Sequence, residues 1–169
     1  DPQNPLEPAN TNEVQGGKVL DMIFMNLKEY DATGKAQLEA ADSITTTDQQ
    51  NFTIKIKPDL KFSDGTPVTS NSFVDAWNYG ALVTNKQLNS YFFADIDGYK
   101  AVHPDDENAA PTAKTMSGLK VVDDHTFTVK LSQKFSTWPD RLGYKAFAPL
   151  PKEFFDNHDA YLKKPIGAG

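Results

Sequence analysis

Two short stretches, residues 51–57 and 126–131, alternate apolar and polar side chains strictly enough to dictate their conformation. Phe52, Ile54 and Ile56 are interleaved with Thr53, Lys55 and Lys57, and Phe127, Val129 and Leu131 with Thr126, Thr128 and Lys130. A period of two sends one set to each face of a strand, so both stretches are half-buried and antiparallel. Each follows a partner across a polar turn: 43–47 before Asp48-Gln49-Gln50, and 119–122 before Asp123-Asp124-His125. A third hairpin is expected from 27–30 and 35–38 around Asp31-Ala32-Thr33-Gly34, with Gly34 where positive φ is needed.

Helices are set apart from these hairpins. Asn12 and Gln15 form a capping-box pattern before Val19, Leu20, Ile23, Phe24 and Leu27, which predicts a helix over 13–26. Pro58 ends the strand before it, and Ser63-Asp64-Gly65-Thr66-Pro67 reads as a turn. Thr69 then caps a helix over 70–82 whose stripe is Phe73, Ala76, Trp77, Gly80 and Ala81. Residues 84–97 follow neither period, and 103–116 read as a long polar loop. Thr137-Trp138-Pro139 opens a short helix, with Pro near its first position. Pro149 and Pro151 bracket an extended piece before a helix over 152–161. Hairpins and helices that do not alternate as βαβ units imply an α+β fold.

Apolar residues make up 38% of the 169, and eleven are Phe, so a packed core is expected rather than disorder. Acidic residues outnumber basic ones, the net charge is −6, and the basic residues form no stripe, which argues against nucleic acid. With no cysteine there is no disulfide, thiolate metal site or Cys nucleophile. No run approaches the ~20 apolar residues of a membrane span. The first residue is Asp1 rather than Met, as expected after removal of a signal or lipoprotein leader or after trimming.

Candidate chemistry is sparse. His103, His125 and His158 lie in a loop, a turn and a helix end, without metal-ligand spacing, and are expected to be solvent-exposed. Asp105-Asp106 and Asp123-Asp124 are adjacent pairs of the kind that solvate turns, and no GxSxG, P-loop or GxGxxG occurs. No catalytic residue, metal site or cofactor is expected. Phe73, Trp77 and Trp138 are assigned to packing. Tyr91-Phe92-Phe93 exceeds what one face of one element buries, so part of it should face a cleft or a neighbouring domain.

The order of motifs resembles the family 5 extracellular solute-binding proteins, the oligopeptide- and dipeptide-binding receptors of ABC importers. The most specific block is Lys61-Phe62-Ser63-Asp64-Gly65-Thr66-Pro67-Val68-Thr69. Leu6-Glu7-Pro8, Tyr30-Asp31-Ala32-Thr33-Gly34-Lys35, Ala40-Ala41-Asp42-Ser43, the strand 52–57, the hairpin 121–131 and Ile166-Gly167-Ala168-Gly169 match other family stretches in order. Met25-Asn26 stands where Glu-Gly is usual, and Ile44 where Trp is common.

The resemblance implies an N-terminal fragment of a type II periplasmic-binding-protein-like fold. Residues 1–33 would begin the first ligand-binding lobe, 34–149 form the accessory antiparallel-sheet-plus-helices domain, and 150–169 return to the lobe. It implies a monomeric, extracytoplasmic receptor, in the periplasm or lipid-anchored at the outer face of the membrane. Such a receptor closes on an oligopeptide between two lobes and delivers it to a membrane permease. Asn10, Thr11, Asn12, Glu13 and Val14 would run beside the peptide backbone, and Tyr91, Phe92 and Phe93 would approach the ligand. Another solute, an oligosaccharide or metal chelate, is the alternative. An envelope adhesion or scaffold module and a carbohydrate-active enzyme are the rival classes; the enzyme requires two carboxylates converging in one pocket.

Overall fold

The alternating stretches form the central sheet of the computed structural model, which describes residues 25–156. The strands are β1 (Lys28–Tyr30), β2 (Ala36–Leu38), β3 (Ala41–Thr46), β4 (Asn51–Ile56), β5 (Leu119–Asp123) and β6 (Thr126–Lys130). β1 and β2 form a separate two-stranded ribbon, and the other four an antiparallel sheet in the order β3-β4-β6-β5. Phe52 pairs with Val129 and Ile54 with Phe127, so the apolar sets of the two predicted hairpins share one face. The hairpins thus meet through their second strands, a pairing that neither hairpin's turn specifies. Of the helix predicted over 13–26, residues 13–24 lie outside the described residues and 25–26 are not helical; of the one over 152–161, residues 157–161 lie outside.

That face is covered by α1 (Ser70–Ala81). Its start is fixed in two ways. The Thr69 N–H donates to Ser72 Oγ at 3.0 Å, and the Ser70 N–H to the Asp124 carbonyl at 2.7 Å, tying the first turn to the β5–β6 loop. The predicted stripe is the buried one: Phe73, Ala76, Trp77, Gly80 and Ala81 all face inward. Phe73 stacks on Phe127 at 5.9 Å, and Trp77 meets Phe127 edge-on at 5.5 Å. Trp138 and Phe147, from the segment after the sheet, close the same cluster. Trp138 and Trp77 are both fully buried, in agreement with their assignment to packing.

Residues 84–97 follow neither period for a physical reason. The stretch contains the 3-10 turns Val83–Asn85, which begins one residue before it, and Ser90–Phe93, joined by irregular backbone, so hydrogen bonds are local and no single face repeats. The buried positions there include Gln87, Asn89 and Ser90, the reverse of an amphipathic pattern. A short helix, α2 (Tyr99–Val102), leads into the expected polar loop. Trp138–Gly143 forms a six-residue 3-10 turn with Pro139 near its start, and α3 (Lys152–Asp156) follows the extended prolines.

The expectation of solvent-exposed histidines fails at His103. Its side chain is largely covered, stacked on the Tyr99 ring at 5.2 Å. Nδ1 lies 3.0 Å from the Ala81 carbonyl oxygen, at the end of α1, and Nε2 3.1 Å from Glu107 Oε2. The ring pins the polar loop to a helix terminus, where unpaired carbonyls attract donors. His125 is half-buried, and His158 lies outside the described residues.

Candidate functional site

Among the described residues, a run of exposed and half-buried aromatic rings is assembled from three segments distant in sequence. Tyr91 stacks on Phe92 at 4.7 Å, Phe92 meets Tyr144 edge-on at 5.5 Å, and Tyr144 lies 5.7 Å from Tyr30. Tyr91 is 62% exposed, Tyr144 46% and Tyr30 40%, with Phe92 half-buried between them. The stripe is anchored from below, since Phe92 also contacts Phe147 of the core.

Each ring has a local reason for its position. The 3-10 turn at 90–93 advances about three residues per turn. It therefore directs Phe93 into the core, fully buried against Trp77 and Phe147, while Tyr91 points outward. Tyr30, at the end of β1, donates its hydroxyl to the Asp140 carbonyl at 2.8 Å. Burial and the neighbouring Tyr144 push its phenol up to about 12. Gly143 makes this seat possible: a Cβ there would lie 2.8 Å from the Tyr30 ring and 3.1 Å from the Lys28 carbonyl. Two ion pairs lie beside the stripe. Lys28 meets Asp140 at 3.7 Å, and Arg141 meets Asp95 at 2.6 Å while lying over the Phe135 ring.

Acidic groups gather in two other places. Asp42, Lys55, Asp123, Asp124 and His125 line a shallow, open groove, where Asp123 accepts the His125 N–H at 2.9 Å and closes the β5–β6 turn. At the β1–β2 ribbon, Glu39 accepts the Asn26 N–H at 2.7 Å. Desolvation, followed by the Glu29 carboxyl, pushes Glu39 up to about 7. Among the described residues, no three His, Asp or Glu side chains are arranged to hold a metal ion.

Of the residues expected to approach a ligand, Tyr91 and Phe92 are at the surface, and Phe93 is not: it packs inside the domain and is unavailable for contact. Asn10, Thr11, Asn12, Glu13 and Val14 lie outside the described residues. Tyr30 and Tyr144 escaped sequence reasoning. The only local signals at these positions were a Tyr closing a three-residue strand and another following Gly143.

The sequence profile of the bacterial extracellular solute-binding proteins, family 5 Middle, matches residues 35–169. The chain belongs to this family. The signature block at 61–69 lies within the match, where Asp64 Oδ1 accepts from the Thr66 N–H and hydroxyl. The periplasmic oligopeptide-binding protein OppA of Salmonella typhimurium is 28% identical over 147 residues, covering 87% of this chain and 26% of the relative. OppA of Escherichia coli is 30% identical over 149 residues, with the same coverage. Among solved structures, the unliganded open form of the murein tripeptide-binding protein MppA superposes with a TM-score of 0.87 at 24% identity. That superposition covers 98% of this chain and 32% of the other. Haemophilus influenzae OppA in complex with RPPGFSPFR gives 0.86 at 24% identity, covering 99% and 33%. The chain therefore spans about a quarter of the length of these curated relatives. The fold shared with these neighbours is that of the peptide-binding type II receptors, and the chain supplies a mixed α/β part of it with antiparallel sheets.

Proposed function

We propose that the whole protein is the extracytoplasmic substrate-binding component of an ABC importer, binding oligopeptides between two lobes and passing them to the membrane permease. Membership of family 5 carries this reading, supported by relatives named for oligopeptide binding. Residues 34–149 act as the accessory domain, with 1–33 and 150–169 belonging to the first lobe. Asn10, Thr11, Asn12, Glu13 and Val14 accompany the peptide main chain, as in strand addition. Tyr91 and Phe92 face the ligand from the accessory domain. The protein binds without catalysing a reaction, as a monomer, in the periplasm or lipid-anchored outside the membrane.

Thermal unfolding of the full-length protein, with and without a mixed-length oligopeptide pool, tests this. A ligand at 100 times its dissociation constant adds about 2.7 kcal/mol of stability, a readily measured shift. No shift with any peptide overturns the oligopeptide reading. A family relative is named as a probable deoxycholate-binding periplasmic protein, so a bile salt belongs in the same series.

A further inference from the structure

We propose that His103 is a proton-dependent clasp. With a proton on each ring nitrogen it ties Glu107, and with it the polar loop over 104–111, to the end of α1; on losing the Nε2 proton it lets the loop go. The inference is independent of the oligopeptide reading, because every group in it lies between Ala81 and Thr112.

The ring sits between two acceptors. Nδ1 lies 3.0 Å from the Ala81 carbonyl oxygen and Nε2 3.1 Å from Glu107 Oε2. A carbonyl oxygen and an ionised carboxylate only accept, whereas a neutral imidazole has a single N–H to give. Both contacts are therefore hydrogen bonds at once only in the imidazolium. When one proton leaves, the other stays on Nδ1, because the carbonyl at a helix C-terminus attracts a donor. Nε2 then turns a lone pair toward the carboxylate, and attraction gives way to repulsion.

The clasp opens at Glu107 rather than at the ring. The His103 side chain is 13% exposed and lies nearly parallel to the Tyr99 ring, while its N–H donates to the Tyr99 carbonyl at 2.7 Å. The Glu107 side chain is 74% exposed. From α1 the ring faces a carbonyl, and from α2 the Tyr99 phenol, which burial pushes up so that it stays uncharged near neutrality. The other charged groups on this stretch, Lys100 and Asp105, are paired with each other at 3.6 Å.

The loop depends on this contact because its other charged tie is weak. Residues 105–110 are exposed, and their turn closes on itself: Asp106 accepts the Asn108 and Ala109 N–H groups. The chain rejoins the body at Thr112, whose N–H donates to the Ala101 carbonyl at 2.8 Å. Among the described residues, the ion pairs joining the stretch between to the body are Lys100–Asp105 and His103–Glu107. The first is exposed at both ends and contributes little. The second has a largely covered partner, and imidazole is the side chain whose charge ordinarily responds to pH near neutrality. On the extracytoplasmic placement proposed above, that pH is the pH of the surroundings.

The test measures amide exchange at Asn108 and Ala109 in the full-length receptor at pH 5 and pH 8. Rates are corrected for intrinsic exchange and referenced to amides of β4, which removes any global change in stability. Protection is expected to be about 2- to 5-fold higher at pH 5, the span of a partly exposed ion pair. Ring nitrogen NMR should show two N–H groups on His103 at pH 5 and one, at Nδ1, at pH 8. Glu107→Gln abolishes the difference, since its amide accepts from or donates to Nε2 in either form. Glu107→Ala shows the lower protection at both pH values. Equal protection at the two pH values in the wild type, a difference unchanged in Glu107→Gln, or a single proton on the ring at pH 5 overturns the inference.

Discussion

The Trp77 indole N–H donates to the Phe147 carbonyl across 3.0 Å, joining two residues 70 positions apart in the middle of the core. Around that bond Trp77 touches Phe73, Phe93, Phe127, Trp138 and Phe147. The helix, the sheet and the returning segment therefore converge on one side chain. Trp77→Ala removes the packing and leaves the carbonyl without its donor. We expect a loss of about 3–5 kcal/mol, read as a lower midpoint in urea with little change in slope. Trp77→Phe keeps part of the volume and should cost less. Equal costs for the two variants would show that packing volume is not what Trp77 supplies.

Asn78 is the polar counterpart on α1. Its side-chain oxygen accepts the buried Met116 N–H at 2.8 Å, fixing the end of the polar loop to the helix. Asn78→Leu strands that donor, at a cost of about 1–3 kcal/mol. Hydrogen exchange should localise the effect, with faster exchange at Met116 than in β4. Unchanged protection at Met116 would exclude the bond as its anchor.

Gly143→Ala is expected to displace Tyr30, because the new Cβ would sit 2.8 Å from its ring. Overpacking of this kind costs about 1–3 kcal/mol. In a Tyr30→Ala background the same change should cost less, leaving only the 3.1 Å approach to the Lys28 carbonyl. A double-mutant cycle measures the difference; strict additivity would separate the two residues.

The pH dependence has two opposed parts. Glu39 is pushed up by desolvation and by Glu29, from its ordinary 4.5 to about 7. The folded state then holds a proton that the unfolded state has lost, so this group's contribution is fully present below about 4.5 and lost as pH rises through about 7. Asp48 moves the other way, held well below the usual carboxylate range by the Asn51 N–H; Asp31 and Asp64 are lowered by the Thr33 and Thr66 hydroxyls. Their contributions are present above the unfolded aspartate value and lost as pH falls through their folded ones. Thermal unfolding between pH 5 and pH 8 should therefore show a decline with rising pH that Glu39→Gln removes. An identical profile in the variant would clear Glu39 of the effect.

The sequence by itself determined the strands of the two central hairpins, the turn at Asp31 and the buried stripe of α1. In each, the information sits within a few residues: a period of two, a period of 3.6, or an Asx-type turn whose Gly34 has φ of +82°. The signature block at 61–69 identified the family for the same reason, being local and contiguous. Tertiary structure decided what no window contains. It placed Tyr30 against Asp140, 110 residues away, and so built the aromatic stripe. It also buried Phe93 while exposing its neighbour Tyr91, and turned His103 from a loop residue into a pin on α1. These depend on the order β3-β4-β6-β5 and on what packs across it. Local pattern records how a backbone is shaped, whereas a surface made from three distant segments exists only once the core between them has closed.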